Sequence, residues 1–129
     1  MRLLVDAHAL LWWLGGDARL SGVAREAIEV AREPLVGAGT IVEIAVKRSL
    51  GKLEVDEDWP EQASADGFGL LAIDWSHSTR LQGLPFPRVA EKPHRDPFDR
   101  LLAAQALCER IPIVTRDPAI DAYGVATIW

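Results

Sequence analysis

The chain of 129 residues has little of what builds disulfide or soft-metal chemistry: one cysteine, one methionine and three histidines. Cys108 alone excludes an internal disulfide, and the missing Cys/His set at finger spacing excludes a structural zinc site. Within its apolar helical run Cys108 reads as a small buried hydrophobe. No run of eighteen apolar residues is present, and Met1-Arg2 leads into a short apolar strand where a signal segment would need a longer hydrophobic stretch. The expectation is a cytoplasmic protein with no membrane association. Positive charge is in deficit too, 14 Lys and Arg against 19 Asp and Glu, and a net charge of −5 argues against a nucleic-acid partner. The distribution weakens that exclusion: residues 54–74 hold seven acids and no base, residues 75–116 seven bases against four acids. The acidic block reads as a solvated face.

What is present is a 49% hydrophobic chain, enough to bury the core of one domain spanning 1–129. Arg2 to Val5 reads as a strand that stops at Asp6, followed at once by a helix over His8 to Leu14. Ser21 opens a second helix with Val23, Ala24, Ala27, Ile28 and Ala31 as its stripe, and Leu35-Val36 precedes a helix over Ile41 to Leu50. Asp58-Trp59-Pro60-Glu61 starts another, Leu70 to Ile73 reads as a buried strand, and Ser76 caps a short helix. Pro85, Pro87, Pro93 and Pro97 mark an exposed connection. A long helix to about Arg110, a strand at Pro112 to Val114 and a last strand at Val125 to Trp129 complete the chain. This alternation predicts an α/β fold whose mostly parallel sheet of four to five strands is covered on both faces.

The acids concentrate where such a sheet puts its ligand crevice, beyond the carboxyl ends of the strands. Asp96-Pro97 is strong N-cap grammar, and Asp99, three residues on, shares the cap's helix face. Asp6 and Asp117 follow strands, and Glu43 stands in capping-box spacing from Thr40. Asp6 and Asp96 each have a purely structural reading as an N-cap, and Glu43 has one as a capping-box partner. Together they offer a carboxylate cluster, and acids within roughly 4 to 6 Å repel one another until a cation joins them. Oxygen donors select Mg²⁺ or Mn²⁺, which would support hydrolysis of a phosphodiester. Gly37-Ala38-Gly39 is no nucleotide loop, because Val42 stands where a third glycine is needed. Trp12 and Trp13 are adjacent on one helix, so one of them is expected at a partner surface, with Trp59 in the core or at a subunit contact.

Leu4 to Trp12, Val42 to Ala45 with Lys47 and Gly51-Lys52-Leu53, His94 to Ala106, Val114 to Asp117 and the closing Tyr123 to Trp129 together resemble the PIN-domain ribonucleases, and among them the VapC toxins of toxin–antitoxin pairs. The resemblance implies a PIN-like three-layer sandwich, with Asp6, Glu43, Asp99 and Asp117 as catalytic, Mg²⁺-binding acids. It gives Asp96, Thr40 and Thr115 auxiliary places. It also implies an RNA substrate, a homodimer and a small antitoxin filling the acidic groove. Lys47, Lys52, Arg95, Arg100 and Arg116 are candidates for holding an RNA backbone, each with a solvated-surface alternative. His94 is not needed as a base beside a metal-activated water. Ala7 stands where the family usually has Thr or Ser, and Gly37 where this subgroup often has Ser, so two hydroxyls near the proposed site are missing. Two alternatives are a catalytically weak binding or regulatory partner and a receiver-like signalling domain. The latter calls for paired acids after the first strand and a lysine after the last such strand, whereas Asp6 stands alone and no lysine follows Lys92.

Overall fold

The computed structural model describes residues 1–129. The elements are β1 (Arg2–Val5), α1 (Ala7–Leu14), α2 (Gly22–Val30), β2 (Glu33–Gly37), α3 (Ala38–Ser49), α4 (Trp59–Ala65), β3 (Gly69–Leu71), α5 (Trp75–Gly83), β4 (Arg88–Val89), β5 (Lys92–Pro93), α6 (Pro97–Glu109), β6 (Ile113–Val114), α7 (Pro118–Asp121) and β7 (Thr127–Ile128). Five strands form one sheet in the order β3-β2-β1-β6-β7, and every pairing in it is parallel. No helix is long and apolar enough to cross a membrane.

Strand side chains alternate between faces, and that alternation sorts the core into two layers. Leu3, Val5, Val36 and Val114 join Leu10, Trp12, Ile28, Ile44 and Trp59 from α1 to α4 and Phe68 just before β3. Their sequence neighbours Leu4, Leu35 and Ile113 face the other way, onto Leu84, Leu102, Ala103, Ile120 and Tyr123. Helices therefore cover both faces, as the apolar strands required. Each fully buried Leu or Ile contributes about 1.5–3 kcal/mol, and Leu3, Leu4, Leu10 and Ile113 have no exposed surface.

Several local expectations are corrected by packing. The strand expected to be buried at Leu70 to Ile73 is β3, an edge strand in which Leu70 is exposed. The cap of α5 is Asp74, whose carboxylate accepts from the Ser76 and His77 N–H groups, and Ser76 lies inside the helix. The proline-rich connection holds a short antiparallel hairpin, β4 with β5. Neither Trp12 nor Trp13 is at a free surface. Trp12 is buried, while Trp13 donates to Asp66 at 3.0 Å and packs edge-on against Phe68. The exposed tryptophan is Trp75, at 90%. Cys108 is half-buried, its Sγ 3.6 Å from the Ser76 carbonyl.

Candidate active site

The sheet fixes the site's position before any side chain is considered. From β1 the chain builds toward β2 and β3 on one side, and β6 and β7 lie on the other, so order reverses between β1 and β6. Such a switch point opens a crevice at the strands' carboxyl ends. Asp6 follows β1 there, and Thr115 to Asp117 follow β6.

A cavity of about 200 Å³ occupies the crevice, and its lining includes Asp6, Thr40, Glu43, Lys47, Asp96, Asp99 and Asp117. All five candidate acids thus meet from four separate segments. Asp6, Asp96 and Asp117 also cap α1, α6 and α7, accepting backbone N–H groups of Ala9, of Phe98 and Asp99, and of Ala119. Capping and clustering are the same arrangement: helix N-termini point their unpaired N–H groups and positive dipole ends at the crevice, which steadies negative charge there. Thr115 joins two acids directly. Its buried hydroxyl donates to Asp6 Oδ2 at 2.5 Å and accepts the Asp117 N–H at 3.0 Å.

Thr40 and Glu43 do not form the expected capping box. α3 begins at Ala38 with Gly37 as a cap that makes no side-chain bond, which leaves Thr40 inside the first turn and buried. Glu43 instead accepts from Lys47 Nζ at 2.8 Å, one turn along α3. Gly37 does not face the acids either. A Cβ there would lie 2.6 Å from Oε1 of Gln105, whose buried amide is tied to the Leu71 and Ala72 carbonyls.

The electrostatics single out Asp99. Burial, then Asp96, Asp117 and Glu43, push its carboxyl up to about 6, and His94 acts against them. Burial also raises Asp6, partly offset by the bonds from Thr115 and the Ala9 N–H. Lys47 is held charged by Glu43 first, and by Asp96 and Asp99 beyond it. Repelling, desolvated carboxylates of this kind favour either a proton or a cation. The donors are oxygens without a thiol, which suits Mg²⁺ or Mn²⁺. As arranged, no three acidic, histidine or cysteine side chains stand close enough to enclose an ion. Asp6, Glu43 and Asp99 each spend a carboxylate oxygen on a protein partner: Thr115, Lys47 and His94.

His94 was set aside in the sequence and is part of the site. Its Nε2 lies 3.2 Å from Asp99 Oδ2 and its Nδ1 2.6 Å from the Tyr123 hydroxyl. Arg100, expected on the RNA surface, is buried beneath this pair. It donates to Tyr123 Oη and to the carbonyls of Leu81, Leu84 and Pro85, and lies over the Phe86 ring at 3.9 Å from its centroid. Those carbonyls sit at and beyond the last turn of α5, where unpaired acceptors call for a donor. Arg100 also pairs with no site acid. Lys52, Arg95 and Arg116 are exposed.

The chain matches the PIN domain family over residues 3–126. It belongs to that family. The PIN chain is 29% identical over 135 residues to ribonuclease VapC22 of Mycobacterium tuberculosis, covering 98% of each. Its fold is similar to that of VapBC2 from Rickettsia felis bound to a promoter DNA fragment, at a TM-score of 0.68 and 10% identity, covering 98% of this chain and 97% of that one. A toxin–antitoxin complex from Klebsiella pneumoniae is similar at a TM-score of 0.60 and 16% identity, over 89% and 86% of the two chains.

Proposed function

We propose that this PIN domain is a Mg²⁺-dependent endoribonuclease, the toxin of a toxin–antitoxin pair acting in the cytoplasm, with Mn²⁺ as a substitute ion. The observation that carries the reading is the meeting of Asp6, Glu43, Asp96, Asp99 and Asp117 in one cavity at the switch point. A ribonuclease relative matching along 98% of the chain supports it. A divalent ion held by Asp6, Glu43, Asp99 and Asp117 would supply charge opposite the scissile phosphate and acidify an attacking water.

The protein's own groups do the rest. The Thr115 hydroxyl favours the ionised form of Asp6, offsetting part of what burial raises, and fixes its carboxylate against β6. His94, braced by Tyr123 and through it by Arg100, fixes Asp99. Asp96 caps α6 from the rim and adds negative charge. Lys47 neutralises Glu43 and gives it up to reach a phosphate oxygen when RNA enters. A small antitoxin would close the acidic groove. A homodimer would cover the exposed stripe of Val42 and Val46 on α3 and Leu50 at its C-cap, spaced four apart.

The test is cleavage of total RNA by purified protein with Mg²⁺ or Mn²⁺ and with chelator, beside Asp6→Asn and Asp99→Asn. Metal-dependent cutting lost in both variants is expected. A pattern shared by all three proteins and indifferent to metal would sink the mechanism.

A further inference from the structure

Beside the acid cavity lies a second depression of about 400 Å³, and the two share Asp6, His8 and Asp117 as a common wall. Its far side is built from Trp12, Arg19 and Arg116. Trp12 is buried, with Trp129 edge-on at 5.7 Å and the His8 ring stacked at 5.5 Å, so the indole is a fixed floor. Two guanidinium groups lie over that indole, Arg116 at 4.6 Å from its centroid and Arg19 at 5.0 Å.

The two arginines differ in what they have left to offer. Arg19 spends Nε and Nη2 on the Asp17 carboxylate, the closest contact being 2.7 Å, so its charge is already matched. Arg116 is exposed and takes part in none of the chain's ion pairs, although Asp117 is its neighbour and Asp6 borders the same depression. Stacking on Trp12 holds the guanidinium off the acids. That leaves a desolvated face, an unspent planar fork of N–H donors and a full charge one wall away from the carboxylates. A fork of that geometry matches two phosphate oxygens.

We propose that this depression is a subsite for the backbone phosphate adjacent to the scissile one, with Arg116 as its anchor and Trp12 as the residue that positions it. The inference rests on the ribonuclease reading of the acid cavity. The strand then runs from Lys47, past Asp99 and Glu43, over the Asp6 and Asp117 wall, and onto Arg116. Lys47 is ion-paired until substrate arrives, whereas Arg116 is ready beforehand, so the subsite sets the register in which RNA meets the acids.

The experiment uses a short single-stranded RNA spanning a cut that the wild type makes in total RNA, and a series of the same RNA with one linkage at a time replaced by an uncharged methylphosphonate. Arg116→Gln should raise KM about ten- to a hundredfold and leave kcat within about threefold, since a hydrogen bond to a charged group is lost from binding. Binding of the uncut RNA, followed by fluorescence anisotropy in chelator across a NaCl series, should lose about 0.7 from the slope of log Kd against log salt, the value of one phosphate contact in a single strand. Methylphosphonate at one linkage next to the cut should weaken the wild type and leave Arg116→Gln unaffected. Arg116→Lys should not restore the wild-type KM, because an ammonium does not lie flat on the indole, and Trp12→Phe should lose part of what Arg116→Gln loses. An unchanged salt slope, or equal sensitivity of both proteins at every linkage, overturns the subsite and leaves the ribonuclease reading standing. A wild type that cuts no RNA overturns both.

Discussion

Asp99→Asn is the substitution whose thermodynamics are worked most directly from the site. The Asp99 carboxyl is pushed from 3.8 to about 6, chiefly by burial and then by Asp96, Asp117 and Glu43. A raised carboxyl means the folded protein keeps a proton that the unfolded chain releases. Stability is therefore fullest below the unfolded value near 4 and is lost as pH rises through about 6. The shift corresponds to at most about 3 kcal/mol at pH 7. The side chain is 24% exposed, and solvent screening and the lost His94 contact reduce the figure to about 1–3 kcal/mol. Without metal, Asp99→Asn should be the more stable protein at pH 7, melting several degrees higher at roughly 3–6 °C per kcal/mol for a chain of this size. The advantage should fade by pH 4.5. Added Mg²⁺ should invert the order, raising the wild-type melting temperature with little effect on the variant. Thermal melts in chelator and in Mg²⁺ between pH 4.5 and 7.5 read all three effects. A variant less stable than wild type at pH 7 in chelator, or a difference that does not change with pH, would refute the electrostatic reasoning.

Thr115→Val removes the bond that favours ionised Asp6, so the acid limb of the cleavage profile should move to higher pH, at a stability cost of about 1–3 kcal/mol; an unmoved profile would show that Thr115 does not tune Asp6. Arg100→Met should cost about 2–4 kcal/mol in urea unfolding, since it strips a buried donor from the carbonyls of Leu81, Leu84 and Pro85, and should leave the salt slope of RNA binding unchanged. Gly37→Ala presses a methyl against the pinned Gln105 amide and should cost about 1–3 kcal/mol, much of it recovered in the double variant with Gln105→Ala. Chelator should abolish cleavage by the wild type, and Mg²⁺ or Mn²⁺ should restore it.

Asp6 and Asp117 stand out in the sequence because they follow strands, Asp96 because it precedes Pro97 at a helix start, and Asp99 because it lies three residues beyond that cap. A carboxylate two or three residues before a free helical N–H is a cap wherever the rest of the chain goes. The strands were legible in the same way, from short apolar runs that only a two-faced sheet can bury. The capping box expected for Glu43 does not form, since α3 starts earlier than Thr40 and the acid answers to Lys47. The surroundings of His94 and Arg100 are not legible in the sequence because their partners are remote. Tyr123 comes 29 residues after His94, and the carbonyls that bury Arg100 come 15 to 19 residues before it. The hairpin of β4 and β5 carried no turn signal, its left-handed positions being Ala90 and Glu91.

By itself, then, the sequence determined the alternation of elements, the parallel sheet and the acids that cap helices at its edge, because backbone geometry and side-chain periodicity operate over one or two turns of chain. Only the tertiary structure decided which charges are spent and which are free. Arg100 is buried, and Arg116 lies stacked on Trp12, set by a closure of the sheet that brings α1 beside the end of β6. A charge's worth depends on what surrounds it in space, and for Arg100 and Arg116 those surroundings come from other stretches of the chain.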